Sequence, residues 1–110
     1  MNILQIIPRL ELGGVERGVI DLALYLKRQG HTPIVISSGG RLVQVLEDNG
    51  ITHYTLPVHQ KSIFAAWQCV KRVREIIVRE KIDIVHCRSR VPDIIGYWAA
   101  LKTPARFIVT

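Results

Sequence analysis

Asn2-Ile3-Leu4-Gln5-Ile6-Ile7-Pro8-Arg9-Leu10-Glu11-Leu12-Gly13-Gly14-Val15-Glu16-Arg17 carries the signals of a strand, a turn and a helix in immediate succession. Ile3 to Ile7 is a nearly continuous apolar run stopped by Pro8, the pattern of a strand buried on both faces. No basic region precedes it and no small-residue cleavage site follows, so it reads as a strand rather than a signal peptide. After the glycine pair, Val15, Val19, Leu22, Ala23 and Leu26 recur at i, i+4, i+7, i+8 and i+11. They form one apolar stripe of a helix that Gly30 closes. A buried strand, a short loop and an amphipathic helix open a βα unit.

Outward from this stretch the alternation continues. Thr32 to Ser37 is a second strand, with Pro33 tolerable at its start. Gly39-Gly40 turns the chain into a short helix from Leu42 to Asp48, and Ile51 to Leu56 is a third strand. A longer helix spans Ser62 to Glu80, with Ile63, Trp67, Val70, Arg74 and Ile77 on one face, apolar but for the arginine. Lys81 to Cys87 is the fourth strand. Pro92 sits in the first turn of a helix ending near Leu101, and Ala105 to Thr110 is the fifth strand. The order β-α-β-α-β-α-β-α-β calls for parallel strands and right-handed crossovers. The expected fold is therefore α/β, a Rossmann-like doubly wound parallel sheet of about five strands with helices on both faces.

At 110 residues and 48% hydrophobic composition the chain is one domain and no disordered tail. No apolar run reaches the roughly 18 residues that span a bilayer. Cys69 and Cys87 form no disulfide framework and no metal-binding spacing, and read as two reduced thiols of a cytoplasmic protein. The formal charge of +6 leaves three partners open: nucleic acid, an anionic membrane surface or a phosphorylated substrate. With only 6% aromatic residues and no basic-aromatic interleaving, nucleic acid is the least favoured.

A doubly wound sheet binds its ligand at the carboxyl ends of its strands, at the switch point between strands one and four. Two segments lie there. Gly13-Gly14 lets the backbone approach a ligand, and the helix head behind it offers free N–H groups that suit a phosphate. The alternative reading is a tight turn with no ligand. The dinucleotide fingerprint and the P-loop are both absent. Arg88-Ser89-Arg90 follows the fourth strand with two forked donors for phosphate or carboxylate, against the alternative of a solvated basic loop. Gly39-Gly40-Arg41 is a third loop on the same edge with similar helix-start chemistry, against the alternative of a plain turn. His86 reads as packed rather than catalytic, and His31, His53 and His59 are scattered with no triad or nucleophile-base pair.

Together these segments resemble glycosyltransferase family 4, of the two-domain GT-B architecture. Gly13-Gly14-Val15-Glu16-Arg17 is similar to its G-G-x-E-R opening, and Gly39-Gly40-Arg41-Leu42-Val43, Leu46, Gly50-Ile51 and Leu56-Pro57 with Lys61 follow in order. Ile82 to Pro92 resembles its D-(I/V)-(I/V)-H-x-R-S-R-x-P stretch, and Thr103 to Phe107 its lead into the next strand. The resemblance implies transfer of a sugar from a nucleotide-sugar donor to a saccharide or lipid-linked acceptor, by a retaining, metal-independent reaction with no cofactor. Residues 1–110 would be the N-terminal, acceptor-side domain, incomplete, with the C-terminal donor-binding domain and its E-x₇-E motif absent; alone it is expected to be inactive.

The resemblance further implies donor-phosphate binding at Gly13 and Gly14 and acceptor binding at Arg88, Ser89 and Arg90. Catalytic residues are left unassigned. The expected setting is cell-envelope polysaccharide or lipopolysaccharide synthesis, cytoplasmic or peripheral on the inner face of the membrane. There Lys61, Lys71, Arg72, Arg74, Arg79 and Lys81 would meet anionic lipid, against the alternative of an ordinary solvated face. An apolar fifth-strand edge, Phe107 to Val109, is expected to favour a homodimer. The rival readings are a non-catalytic Rossmann-like module that binds a phosphorylated ligand or protein partner, and a flavodoxin-like regulatory domain. The second lacks the early acidic cluster that would hold a metal.

Overall fold

Each expected strand and helix forms, within a residue or two at most ends. The computed structural model describes residues 1–11, 13–58, 63–88, 90–101 and 103–109, and the side chains of all of these except 63 and 90–93. The strands are β1 (Asn2–Ile6), β2 (Thr32–Ser37), β3 (Thr52–Thr55), β4 (Ile84–Cys87) and β5 (Arg106–Val109). The helices are α1 (Gly14–Arg28), α2 (Val43–Asp48), α3 (Ile63–Arg79) and α4 (Arg90–Ala100). All pairings are parallel, in the order β3-β2-β1-β4-β5. β1 lies at the centre, with Ile6 opposite Ile36 on one side and Cys87 on the other.

Alternation along the strands sends side chains into two cores. Leu4, Ile6, Ile34, Ile36, Val85 and Cys87 pack with Val70, Val73 and Ile77 of α3 and with Ile95 and Ala99 of α4. Ile7 and Val35 pack on the other face with Val19, Ile20 and Ala23 of α1 and with Leu46 of α2. Helices thus cover both faces. The switch in winding falls between β1 and β4, where the strand pattern puts it.

Two helices are rotated from the expected stripes. On α1 the buried set is Val19, Ile20 and Ala23, while Val15 is 57% exposed because it stands in the first turn, above the sheet's end. On α3 the buried face is Cys69, Val70, Val73, Ile76 and Ile77, and Trp67 is 59% exposed. Arg74 is not an interruption of that core. Its Nη2 and Nε donate to the carbonyls of Trp98 and Ala99, at 2.6 and 3.3 Å, and tie α3 to the end of α4.

The close packing of α4 on β4 rests on Gly96, where a Cβ would lie 2.2 Å from the Cys87 Sγ. Gly96→Ala should therefore cost about 1–3 kcal/mol by overpacking. Gly14→Ala, whose Cβ would meet nothing within 4 Å, should be neutral or stabilise by up to about 1 kcal/mol. Urea midpoints of the two variants check the contrast; equal midpoints would contradict this account of the α4–β4 contact.

Candidate functional site

The loop after β1 is held before it reaches α1. The Leu10 amide donates to the Gly39 carbonyl at 3.0 Å, and the Leu42 amide donates to the Leu10 carbonyl at 2.8 Å. Gly39 and Gly40 have φ of +110° and +143°, and a Cβ on Gly40 would lie 2.3 Å from the Leu10 oxygen. Both glycines are thus required by backbone geometry and close approach. They clamp the neighbouring loop, as the plain-turn reading of that segment has it.

Gly13 and Gly14 are different in kind. Gly13 caps α1 with extended dihedrals (φ −140°, ψ 164°), and its carbonyl accepts the first helical bond from Arg17 at 2.9 Å. Any residue adopts those angles. A Cβ on Gly13 would meet only the Glu16 carboxylate, at 2.7 to 2.9 Å, and one on Gly14 would meet open space. No side-chain cap bond satisfies the helix head. Its first amides stay available to an anion.

Arg88 comes to the same place from β4. Its amide donates to the Ile6 carbonyl at 3.0 Å, which continues the β1–β4 ladder past the strand ends. Its guanidinium Nη1 lies 3.9 Å from where a Cβ on Gly18 would be. Its Nε is buried without a hydrogen-bond partner among the described residues. Arg88 lines a cleft of about 640 Å³ with Ile7, Pro8, Arg9, Glu11, Val15 and Glu16. The structure therefore joins the first loop and Arg88 at the switch point. Ser89 lies outside the described residues, and Arg90 opens α4 with its side chain likewise outside them.

Sequence reasoning missed two features here. Gly18 lies against the Arg88 guanidinium, where a Cβ would make only an ordinary contact, and a glycine in the interior of a helix was the available signal. Ser37 and His53 also come together, with Ser37 Oγ 2.6 Å from His53 Nε2 and the Gly39 amide donating to the same Oγ at 3.0 Å. Ser37 is fully buried, so the pair serves to brace the Gly39 turn rather than to attack a substrate. Burial lowers the His53 pKa against the opposing pull of Glu47. His86 is lowered too, by burial and then by the Arg88 charge.

The family model of glycosyltransferase family 4 matches residues 12–110. Among solved structures, a glycosyltransferase from Rickettsia africae ESF-5 is 45% identical with a TM-score of 0.88, covering 98% of this chain and 28% of that one. MurG from Acinetobacter baumannii shares the fold at 15% identity and a TM-score of 0.76, covering 98% and 34%. Anabaena HepE, solved in complex with UDP and glucose, shares it at 17% identity and a TM-score of 0.68, covering 99% and 29%. The chain thus spans about a third or less of the length of each of these neighbours. No curated protein matches it.

The two depressed histidines set a pH dependence. Each binds its proton more weakly in the fold than at its ordinary 6.5, so the unfolded chain takes up protons first as pH falls. Their contribution to stability is complete above about pH 6.5 and declines below it, towards their folded values. Urea midpoints should drop between about pH 7.5 and about pH 5, and His53→Gln should flatten part of that slope. A flat profile for the wild type would show that neither imidazole is held neutral by the fold.

Proposed function

The chain belongs to glycosyltransferase family 4, and from that premise we propose that it forms the acceptor-side half of a cleft in which a nucleotide sugar gives up its sugar. The carrying observation is the glycine pair at the head of α1. Neither glycine is demanded by backbone angles, yet together they leave the head of α1 without side-chain cover beside a cleft that Arg9 and Arg88 line. In this reading Gly13 and Gly14 admit the donor diphosphate, and Arg88 with Ser89 and Arg90 holds the saccharide or lipid-linked acceptor. The bond from the anomeric carbon to the diphosphate breaks, one to an acceptor hydroxyl forms, and the hydroxyl proton is released. On the family's pattern the transfer retains configuration and uses neither metal nor cofactor.

A donor-binding half facing this cleft would supply the charge that stabilises the leaving diphosphate. The 110-residue chain alone should therefore turn over no nucleotide sugar. Cell-envelope polysaccharide or lipopolysaccharide synthesis is the setting that fits such acceptors, at the cytoplasmic face of a membrane. In support of that placement, Phe64 is 84% exposed and stands with Trp67, Lys71 and Val78 on the outer side of α3. Ile94, Tyr97 and Trp98 form an exposed stripe on α4, continued by Leu101 just past its end. Aromatic and basic residues together suit an anionic interface. Lys61, assigned to the same surface, lies outside the described residues. Self-association through β5, where Ile108 and Val109 are exposed at the sheet edge, is a further part of the proposal.

Binding of UDP to the chain, followed on amide resonances, tests the reading. Gly13, Gly14 and Arg88 should respond, and Gly14→Val should weaken binding where Gly14→Ala does so less. Joined to a donor-binding domain, Arg88→Ala should lower kcat/KM by roughly ten- to a thousand-fold, the loss of about 1.5–4 kcal/mol of charged hydrogen bonding. Responses scattered away from the cleft would favour the rival module that binds a protein partner. For the membrane face, sedimentation should show salt-sensitive binding to anionic vesicles only; equal binding to neutral vesicles, or none to either, refutes it.

A further inference from the structure

We propose that Glu16 is the resident occupant of the anion seat at the head of α1, a charge gate that an incoming diphosphate must displace. The inference rests on the donor-phosphate reading of that seat. Both carboxylate oxygens and the carboxyl carbon of Glu16 lie 2.7 to 2.9 Å from the point where a Gly13 Cβ would stand. The side chain thus folds back from the third helical position over the capping residue. There it would ordinarily bond the cap's amide as half of a capping box. Here that amide donates elsewhere, to the Glu11 carbonyl at 3.1 Å, and the Glu16 carboxylate makes no hydrogen bond among the described residues. What holds it is the positive end of α1, an attraction without a fixed geometry. A phosphate would be drawn to the same amides for the same reason.

The charges around the cleft point the same way. Its lining carries two arginines, Arg9 and Arg88, against two glutamates, Glu11 and Glu16, so it is neutral overall. The glutamates do not form ion pairs with the arginines within 4 Å; among the described residues the ion pair of α1 is Arg17 with Asp21, at 3.7 Å on the outer face. A neutral, loosely held lining is one from which an anion can enter and leave. Moving Glu16 aside unmasks the helix head and leaves Arg88, which lines the cleft, in a net positive surround. The long, flexible glutamate can swing without disturbing the backbone. A bare Gly13 leaves room both for the carboxylate at rest and for the phosphate when bound.

The test titrates inorganic pyrophosphate into the 110-residue chain and reads the Gly13 and Gly14 amides by NMR. Glu16→Gln keeps the size and removes the charge, and should tighten pyrophosphate binding by about three- to ten-fold, the scale of a charge at a helix end. Glu11→Gln makes the same change to the charge of the lining but away from Gly13, and should change affinity by less than about two-fold. Thermal unfolding of each variant confirms that the fold is kept. If Glu16→Gln binds no better than wild type, or if both variants gain equally, the gate is overturned while the seat stands. If pyrophosphate shifts neither amide in the wild type or in Glu16→Gln, the seat itself is not a diphosphate site, and both readings fall.

Discussion

β1 is hydrogen-bonded on both sides to parallel strands, and the position of every functional residue follows from that constraint. A parallel neighbour is reached only through a crossover that starts at the carboxyl end of one strand and returns to the amino end of the next. α1 carries the chain from β1 to β2 over one face of the sheet, and α3 carries it from β3 to β4 over the other. The loops leaving β1 and β4 therefore part to opposite faces and leave a crevice above their shared edge. The ladder keeps that crevice in register past the strand ends. The Ile7 amide donates to Ile36, the Arg88 amide to Ile6 and the Ser38 amide to Pro8, at 2.8 to 3.0 Å. Arg88 and the head of α1 can face each other because both are anchored to the last residues of β1.

Polar groups in the crevice are incompletely satisfied. The capping residue of α1 has no side chain to offer its helix, and the Arg88 Nε has no partner among the described residues. A buried donor left unpaired costs about 1–3 kcal/mol. A ligand, ion or water that completes such a group is one physical reason for it to persist in a native protein. The same loops are carefully braced a few residues away, by the Ser37–His53 pair and by the clamp of Gly39 and Gly40 on Leu10. Rigidity next to unmet hydrogen-bonding capacity is what a preorganised binding site requires.

The pattern of the strands was readable because burial on both faces leaves an unmistakable apolar run, as in Ile3 to Ile7 and Thr32 to Ser37. Order and handedness then followed from the alternation with helices. Helix rotation was less readable. In α3 both Trp67 and Val70 are apolar, and only packing against β1, β2 and α4 decides that Val70 turns inward while Trp67 stays in solvent. Of the candidate site, the glycine pair and Arg88 could be named from sequence, since strand ends at a switch point are few. Glu16 over Gly13, Gly18 beneath Arg88 and Ser37 beside His53 could not, because each depends on a side-chain direction or a contact between distant strands.

Glycine shows most clearly how structure adds to sequence here. Gly-Gly occurs twice, at 13–14 and 39–40, each time before a helix, and the two dipeptides are indistinguishable by composition. Backbone angles separate them. Gly39 and Gly40 lie at positive φ, and a Cβ on Gly40 would strike the Leu10 carbonyl, so the fold accounts for that pair. Gly13 is extended, Gly14 is helical, and neither meets a fixed atom of this chain. Glycine costs conformational entropy wherever it is ordered, about 0.5–1 kcal/mol relative to alanine in a helix. Where neither dihedral strain nor packing offsets that cost, the remaining physical reason is an approach from outside. The first loop has such a reason in the cleft beside it, and the second is the scaffold that holds it in place.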